Sequence, residues 1–316
     1  MSKNMLGIKS IGIYLPENRI DNVARAKEFD RSEDFIREKV GFVSLPRIDN
    51  LETTSDMCVK AWEDLQKRVC VDLADIECLV LCTQNPDNYG LPHTSAIIHE
   101  KIAAHTNMAV FDISLGCSGY VYSLNVVTSF MAANGMHKGL LFTADPYSKV
   151  IDPKDYVTDL IFGDGATCTY ISDDPVYKAG KTLFATDGTK HRAIAVDGET
   201  GQLGMSGQDV FKFTMKVVPK QIAACLEANG LSKEDIDLVL LHQASRYIVD
   251  NMTKKLKFPA DKVPFISQKT GNTVSSTIPM MLADQILDQH KHILLSGFGV
   301  GLSWATSILI KNMSEG

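Results

Sequence analysis

Three residues combine a reactive type with a telling position: Cys117, His242 and Asn272. Cys117 lies in Val110-Phe111-Asp112-Ile113-Ser114-Leu115-Gly116-Cys117-Ser118-Gly119-Tyr120, which reads as a strand, a tight turn and a helix running to about Met131. At a helix N-terminus, free N–H groups and partial positive charge favour a thiolate and can later hold an oxyanion. Gly116 and Gly119 leave room for a substrate to approach. His242 closes the apolar run Leu238-Val239-Leu240-Leu241, and sites in α/β proteins assemble at the carboxyl ends of strands. Asn272 stands in Thr270-Gly271-Asn272-Thr273-Val274, a glycine-led turn into a helix. Each residue taken alone has a plainer reading: a small buried hydrophobe, a core or capping histidine, and a helix N-cap.

Together they have a chemical logic. A thiolate can accept an acyl group, and a malonyl-type donor that loses carbon dioxide leaves an enolate. Neutral His and Asn side chains can donate hydrogen bonds to its oxygen without repelling the carbanion. Two other chemistries use the same residues. Acyl transfer from Cys117 to an alcohol or amine would take His242 as general base. A papain-like cysteine protease would use His242 to activate the thiol and Asn272 to orient the His.

The elements that must position these groups repeat. A helical pattern from Thr53 to about Val69 leads through Ala74-Asp75-Ile76-Glu77 to the strand Cys78–Cys82. A second helical pattern, Phe211 to Asn229, leads through Glu234-Asp235-Ile236-Asp237 to Leu238–Leu241. His137-Lys138-Gly139-Leu140-Leu141-Phe142 likewise resembles Lys291-His292-Ile293-Leu294-Leu295-Ser296. Both matches recur roughly 155–160 residues apart in the same order, as duplicated α/β halves would. The short apolar strands predict parallel sheet buried on both faces. We divide the chain into residues 1–175, carrying the nucleophile, and 176–316, carrying the histidine and asparagine.

The 316 residues are 45% hydrophobic and 22% charged, with a net charge of -6 and no strongly basic block. Neither nucleic acid nor an anionic membrane is an expected partner. The seven cysteines lack a disulfide or zinc spacing, and the six besides Cys117 read as small buried hydrophobes. No metal and no cofactor is expected. Without an apolar leader or a membrane-length run, the chain reads as cytoplasmic.

The motifs Gly116-Cys117-Ser118-Gly119, His242-Gln243-Ala244 and Gly271-Asn272-Thr273 resemble those of the β-ketoacyl-ACP synthase III family of the thiolase superfamily. Ile161-Phe162-Gly163-Asp164-Gly165-Ala166, Gly207-Gln208-Asp209-Val210-Phe211-Lys212 and Gly297-Phe298-Gly299-Val300-Gly301 extend the resemblance over nearly the whole chain. It implies a thiolase-like, duplicated five-layer αβαβα fold and a homodimer. It also implies condensation of a Cys117-bound acyl group with a malonyl-type thioester, from acyl-CoA or acyl-carrier-protein donors. The implied oxyanion donors are the N–H groups of Cys117 and Val300, where a valine interrupts the usual glycines. Phe162, Met205, Gly207 and Gln208 fall at substrate-binding positions. Phe35, Tyr156 and Lys39 stand where the family holds CoA with Trp and Arg, so base stacking is retained and guanidinium contacts are lost. Lys212, Arg246, Lys254 and Lys255 partly match a carrier-protein docking surface, with Tyr247 at the position of a family arginine. Leu91 falls where a side chain closes the partner subunit's acyl pocket, which suggests a longer or branched primer.

Overall fold

The computed structural model describes residues 6–285 and 290–312. In the first half, β1 (Gly7–Tyr14) is followed by helix α1 (Thr54–Arg68) and strand β2 (Cys78–Cys82). Helix α2 (Thr94–Lys101), strand β3 (Ala109–Ile113), helix α3 (Gly119–Ala133), and strands β4 (Lys138–Ala144) and β5 (Ala166–Ser172) complete it. In the second half, β6 (Tyr177–Ala179) and β7 (Leu183–Thr186) precede α4 (Gly207–Ala228) and β8 (Leu238–Leu241). After these come α5 (Arg246–Leu256), α6 (Thr277–Gln285), β9 (His292–Gly299) and β10 (Ser303–Lys311).

The repeat read from the sequence is present in the strand pairing. β2 runs parallel to β4, β4 antiparallel to β5, and β5 antiparallel to β1. In the same order, β8 runs parallel to β9, β9 antiparallel to β10, and β10 antiparallel to β6 and β7. Two departures break the symmetry. β3 extends the first sheet beyond β2, and among the described residues no strand extends the second sheet beyond β8. β6 also pairs with β1 through Ile8 and Tyr177, joining all ten strands at one corner. The expected division at 175/176 falls in the link between β5 and β6.

Alternating side chains send each sheet into two cores. Cys78 and Val80 face inward with Leu238 and Leu240, against Tyr120, Leu124 and Val127 of α3 and Ile278 and Leu282 of α6. Leu79 and Leu81 face outward onto Met57, Ala61 and Leu65 of α1. On the far side, Val239 and Leu241 meet Val218 and Ile222 of α4 and Val249 and Met252 of α5. The layers therefore run helix, sheet, helix, sheet, helix, and each fully buried leucine contributes about 2 kcal/mol of apolar burial.

Local chemistry sets the helix starts. Thr53 and Asp56 form a reciprocal capping box on α1. Ser206 caps α4 by accepting from Asp209 N, so this helix begins at Gly207, one turn before the expected Phe211. One cysteine departs from expectation. Cys70 follows the last turn of α1 and is exposed, while the other six are buried and none is paired.

Candidate active site

Cys117 sits between the end of β3 and the start of α3, in a turn closed by Gly119 N–H donating to Gly116 O at 2.7 Å. Gly299 packs directly on it: a Cβ there would stand 2.7 Å from Cys117 Sγ. A Cβ on Gly116 would come within 2.5 Å of Val300 Cγ1, so these glycines are required by close approach. Burial, with a smaller contribution from Asp145, pushes the Cys117 thiol up to about 12, while the backbone N–H groups of Val300 and Cys117 act against that rise. This corrects the expectation that the helix terminus alone favours a thiolate, because desolvation outweighs it here. The N–H groups of Val300 and Cys117 both face Sγ.

His242 lies just past β8, where its N–H donates to Ser296 O at 2.9 Å. Burial lowers its pKa to about 3, so the imidazole is neutral. One ring nitrogen, Nδ1, is 2.7 Å from Thr277 Oγ1, and the ring stands edge-on to Phe298 at a centroid distance of 5.7 Å.

Asn272 is fixed by the other half of the chain. Its N–H donates to Ile161 O at 2.9 Å and its carbonyl accepts from Gly163 N–H at 3.1 Å, which brings Phe162 beside it. Gly271, at φ 69°, turns the chain into this position. Val274 takes φ 54°, a left-handed conformation costly for a β-branched residue, and its N–H donates to Asn272 Oδ1 at 2.9 Å. With Oδ1 held, the Nδ2 amide group remains for a ligand. Asn272 does not orient His242, so the arrangement required of a papain-like protease is absent.

Cys117, His242, Asn272 and Val300 line one cavity of about 350 Å³, together with Phe162, Met205, Gly207 and Gln208. Sequence reasoning had named all eight. It placed Ile161, Phe211 and Phe298 in motifs without giving them a site role, and it missed Tyr147 and Ile194, apolar side chains outside any motif. It also missed Asp145, which lies fully buried just past β4. Its carboxylate accepts from Gln84 N at 2.6 Å and from the N–H and hydroxyl of Ser275, tying the Asn272 segment to the first half. Burial raises Asp145 to about 6. Among the described residues, no group of His, Cys, Asp and Glu is arranged to hold a metal ion, and no helix is long and apolar enough to cross a membrane.

The outer positions lie apart from this cavity. Phe35 and Tyr156 each carry a cation against one ring face. The guanidinium carbon of Arg31 lies 5.5 Å from the Phe35 centroid and 4.3 Å from that of Tyr156, a cation–π arrangement that engages both rings. Lys39 instead sits 4.9 Å over the ring of Tyr247, which lines the cavity. Beside it, Arg37, Lys39, Arg246 and Lys254 share a polar basin with Glu38 and Asp250. Arg246 stacks on Phe265 at 4.5 Å, whereas Lys212, Lys254 and Lys255 are exposed. Leu91 is 85% exposed, on a loop outside the cavity.

Residues 111–188 match the 3-oxoacyl-[acyl-carrier-protein] synthase III family, and residues 226–311 match the C-terminal region of that family. The chain is 32% identical over 320 residues to a β-ketoacyl-[acyl-carrier-protein] synthase III of Streptococcus equi subsp. zooepidemicus, covering 96% of this chain and 98% of the relative. It superimposes on the β-ketoacyl-[acyl carrier protein] synthase III of Thermus thermophilus with a TM-score of 0.89 and 28% identity, covering 98% of this chain and 100% of that one. The priming β-ketosynthase of the R1128 polyketide pathway gives 0.87 at 25% identity, covering 98% and 97%.

Proposed function

From the premise that this chain belongs to the β-ketoacyl-ACP synthase III family, a family of condensing enzymes, we propose a decarboxylative condensation centred on Cys117, His242 and Asn272. In the first half-reaction Cys117 Sγ attacks an acyl thioester. The new Sγ–C bond forms, the donor C–S bond breaks, and the thiol proton departs with the released thiol. The N–H groups of Cys117 and Val300 hold the oxyanion. In the second, a malonyl-type thioester loses carbon dioxide and the electron pair of its broken C–C bond enters an enolate. His242 Nε2–H and Asn272 Nδ2–H donate to the enolate oxygen. The carbanion attacks the acyl carbon, a C–C bond forms, the Sγ–C bond breaks, and the Cys117 thiolate takes a proton from solvent. No resident cofactor takes part.

One observation carries this reading. Each donor has its other polar atom occupied, His242 Nδ1 by Thr277 and Asn272 Oδ1 by Val274, in the cavity that holds the thiol. Neutral donors in an apolar site stabilise developing negative charge without needing to reorient. Carbon dioxide released from a malonyl thioester should match the β-ketoacyl product one to one. An ester or amide formed without carbon dioxide, in place of the β-ketoacyl product, would overturn the proposal in favour of simple acyl transfer.

We assign the acyl donor to a carrier protein rather than free CoA, because Arg31 already takes one face each of Phe35 and Tyr156 and because Lys39, Arg246 and Lys254 share a surface basin with Tyr247, which lines the cavity. We also assign a homodimer. Tyr89 and Leu91 project from one loop and β3 is a half-buried sheet edge, surfaces that a second copy would cover, and the family resemblance puts Leu91 at the partner's acyl pocket. The cytoplasm is the compartment proposed for these partners.

A further inference from the structure

We propose that Thr277 is a positioning residue that fixes the proton of His242 on Nε2, the nitrogen not held by Thr277; the inference deepens the role given to His242 above. Thr277 is buried at the first position of α6, with its hydroxyl 2.7 Å from His242 Nδ1 and 3.0 Å from Val274 O. A hydroxyl has one hydrogen to give, and a carbonyl can only accept. If the hydrogen goes to Val274 O, then Nδ1 must carry the imidazole proton and Nε2 is bare. If it goes to Nδ1, then Nε2 carries the proton and becomes a donor.

Two observations select the second state. Val274 O already accepts the backbone N–H of Thr277, so it loses no essential partner when the hydroxyl turns away. The 2.7 Å separation is a full hydrogen bond, shorter than the 3.0 Å from the same hydroxyl to Val274 O, so the hydroxyl is seated closer to the ring than to the carbonyl. No carboxylate among the described residues bonds the ring, and its aromatic neighbour is Phe298, so no other group competes for Nδ1.

The same short turn thereby sets both donors. Val274 N–H holds Asn272 Oδ1, and Thr277, three residues on, holds His242 Nδ1. Ser275, between them, is tied to buried Asp145, which anchors the turn to the first half of the chain.

The test combines imidazole 15N chemical shifts with half-reaction kinetics on the full chain. The wild-type spectrum should show His242 protonated on Nε2 and bare on Nδ1, with the signal assigned by its loss in His242→Ala. Thr277→Val should give mixed tautomers, and Thr277→Ser should restore the wild-type pattern. In Thr277→Val, condensation by pre-acylated enzyme should fall about 10-fold or more, the scale of one lost hydrogen bond. Loading of Cys117 should change much less, and Thr277→Ser should recover condensation. A wild-type ring protonated on Nδ1, or a tautomer unchanged in Thr277→Val, overturns the proposal, as does an equal fall in both half-reactions. Because the 15N readout needs no substrate, an enzyme that shows the expected tautomers but never condenses would refute the reaction and leave the role of Thr277 standing.

Discussion

The floor of the cavity and the surface beyond its mouth are built by different physics. At the floor, Cys117, His242 and Asn272 are buried and each is held by backbone or by a single buried side chain. On the surface beyond the mouth, where of this set only Tyr247 lines the cavity, Arg31, Phe35, Lys39, Tyr156 and Tyr247 are half-buried or exposed and meet through cation–π contacts, which are worth little when solvated. A fixed floor keeps one chemistry, and a loosely assembled outer surface leaves the delivered group open to change. Substitutions at the floor should therefore alter rate, and those on the outer surface should alter which donor is used.

The largest effect should come from Gly299→Ala, whose Cβ would overlap Cys117 Sγ; acyl loading read by mass should fall at least about 100-fold, while the melting temperature moves little by comparison. Asn272→Ala should lower condensation of pre-acylated enzyme by about 10²–10³, the usual loss for one oxyanion donor, and spare loading. Equal losses in both steps would erase the distinction between its role and that of Cys117.

Asp145→Asn should act on acidity. Removing the buried charge that raises the Cys117 thiol should shift its alkylation profile to lower pH, giving faster iodoacetamide labelling at pH 9 even as condensation weakens. Stability should respond too. Asp145 titrates at about 6 in the fold against an ordinary 3.8, so the fold favours its protonated form. That contribution is complete below about pH 3.8 and is lost as pH rises through about 6. The variant should flatten the melting temperature over this window. The smallest effect belongs to the outer surface: Arg31→Ala should lower KM for acyl-CoA several-fold and leave kcat with carrier-protein donors unchanged. No gain with CoA would show that Arg31 does not guard the site.

Much of this was legible in the sequence where residue type and element boundary coincide. Cys117, His242 and Asn272 each mark a junction, the repeated helix–strand order predicted duplicated α/β halves, and the family resemblance implied their five layers. Thr277 and Asp145 were not legible, since a hydroxyl and an acid gain meaning only from the buried groups that reach them across the fold. Arg31 stayed hidden for a similar reason: Phe35 and Tyr156 are far apart in sequence, and only folding brings a third residue against both rings. The acidity of Cys117 was misjudged because a helix terminus can be read from a glycine-flanked turn, whereas the desolvation opposing it depends on Gly299, Val300 and the rest of the enclosing wall.

The central claim is that Cys117 carries the acyl group until an enolate removes it. Intact-mass spectrometry after incubation with acyl-CoA and acyl-carrier-protein donors should show one acyl adduct on Cys117, stable to buffer and discharged only when a malonyl thioester is added. An enzyme that no donor labels, or an adduct that leaves without the malonyl partner, would contradict it.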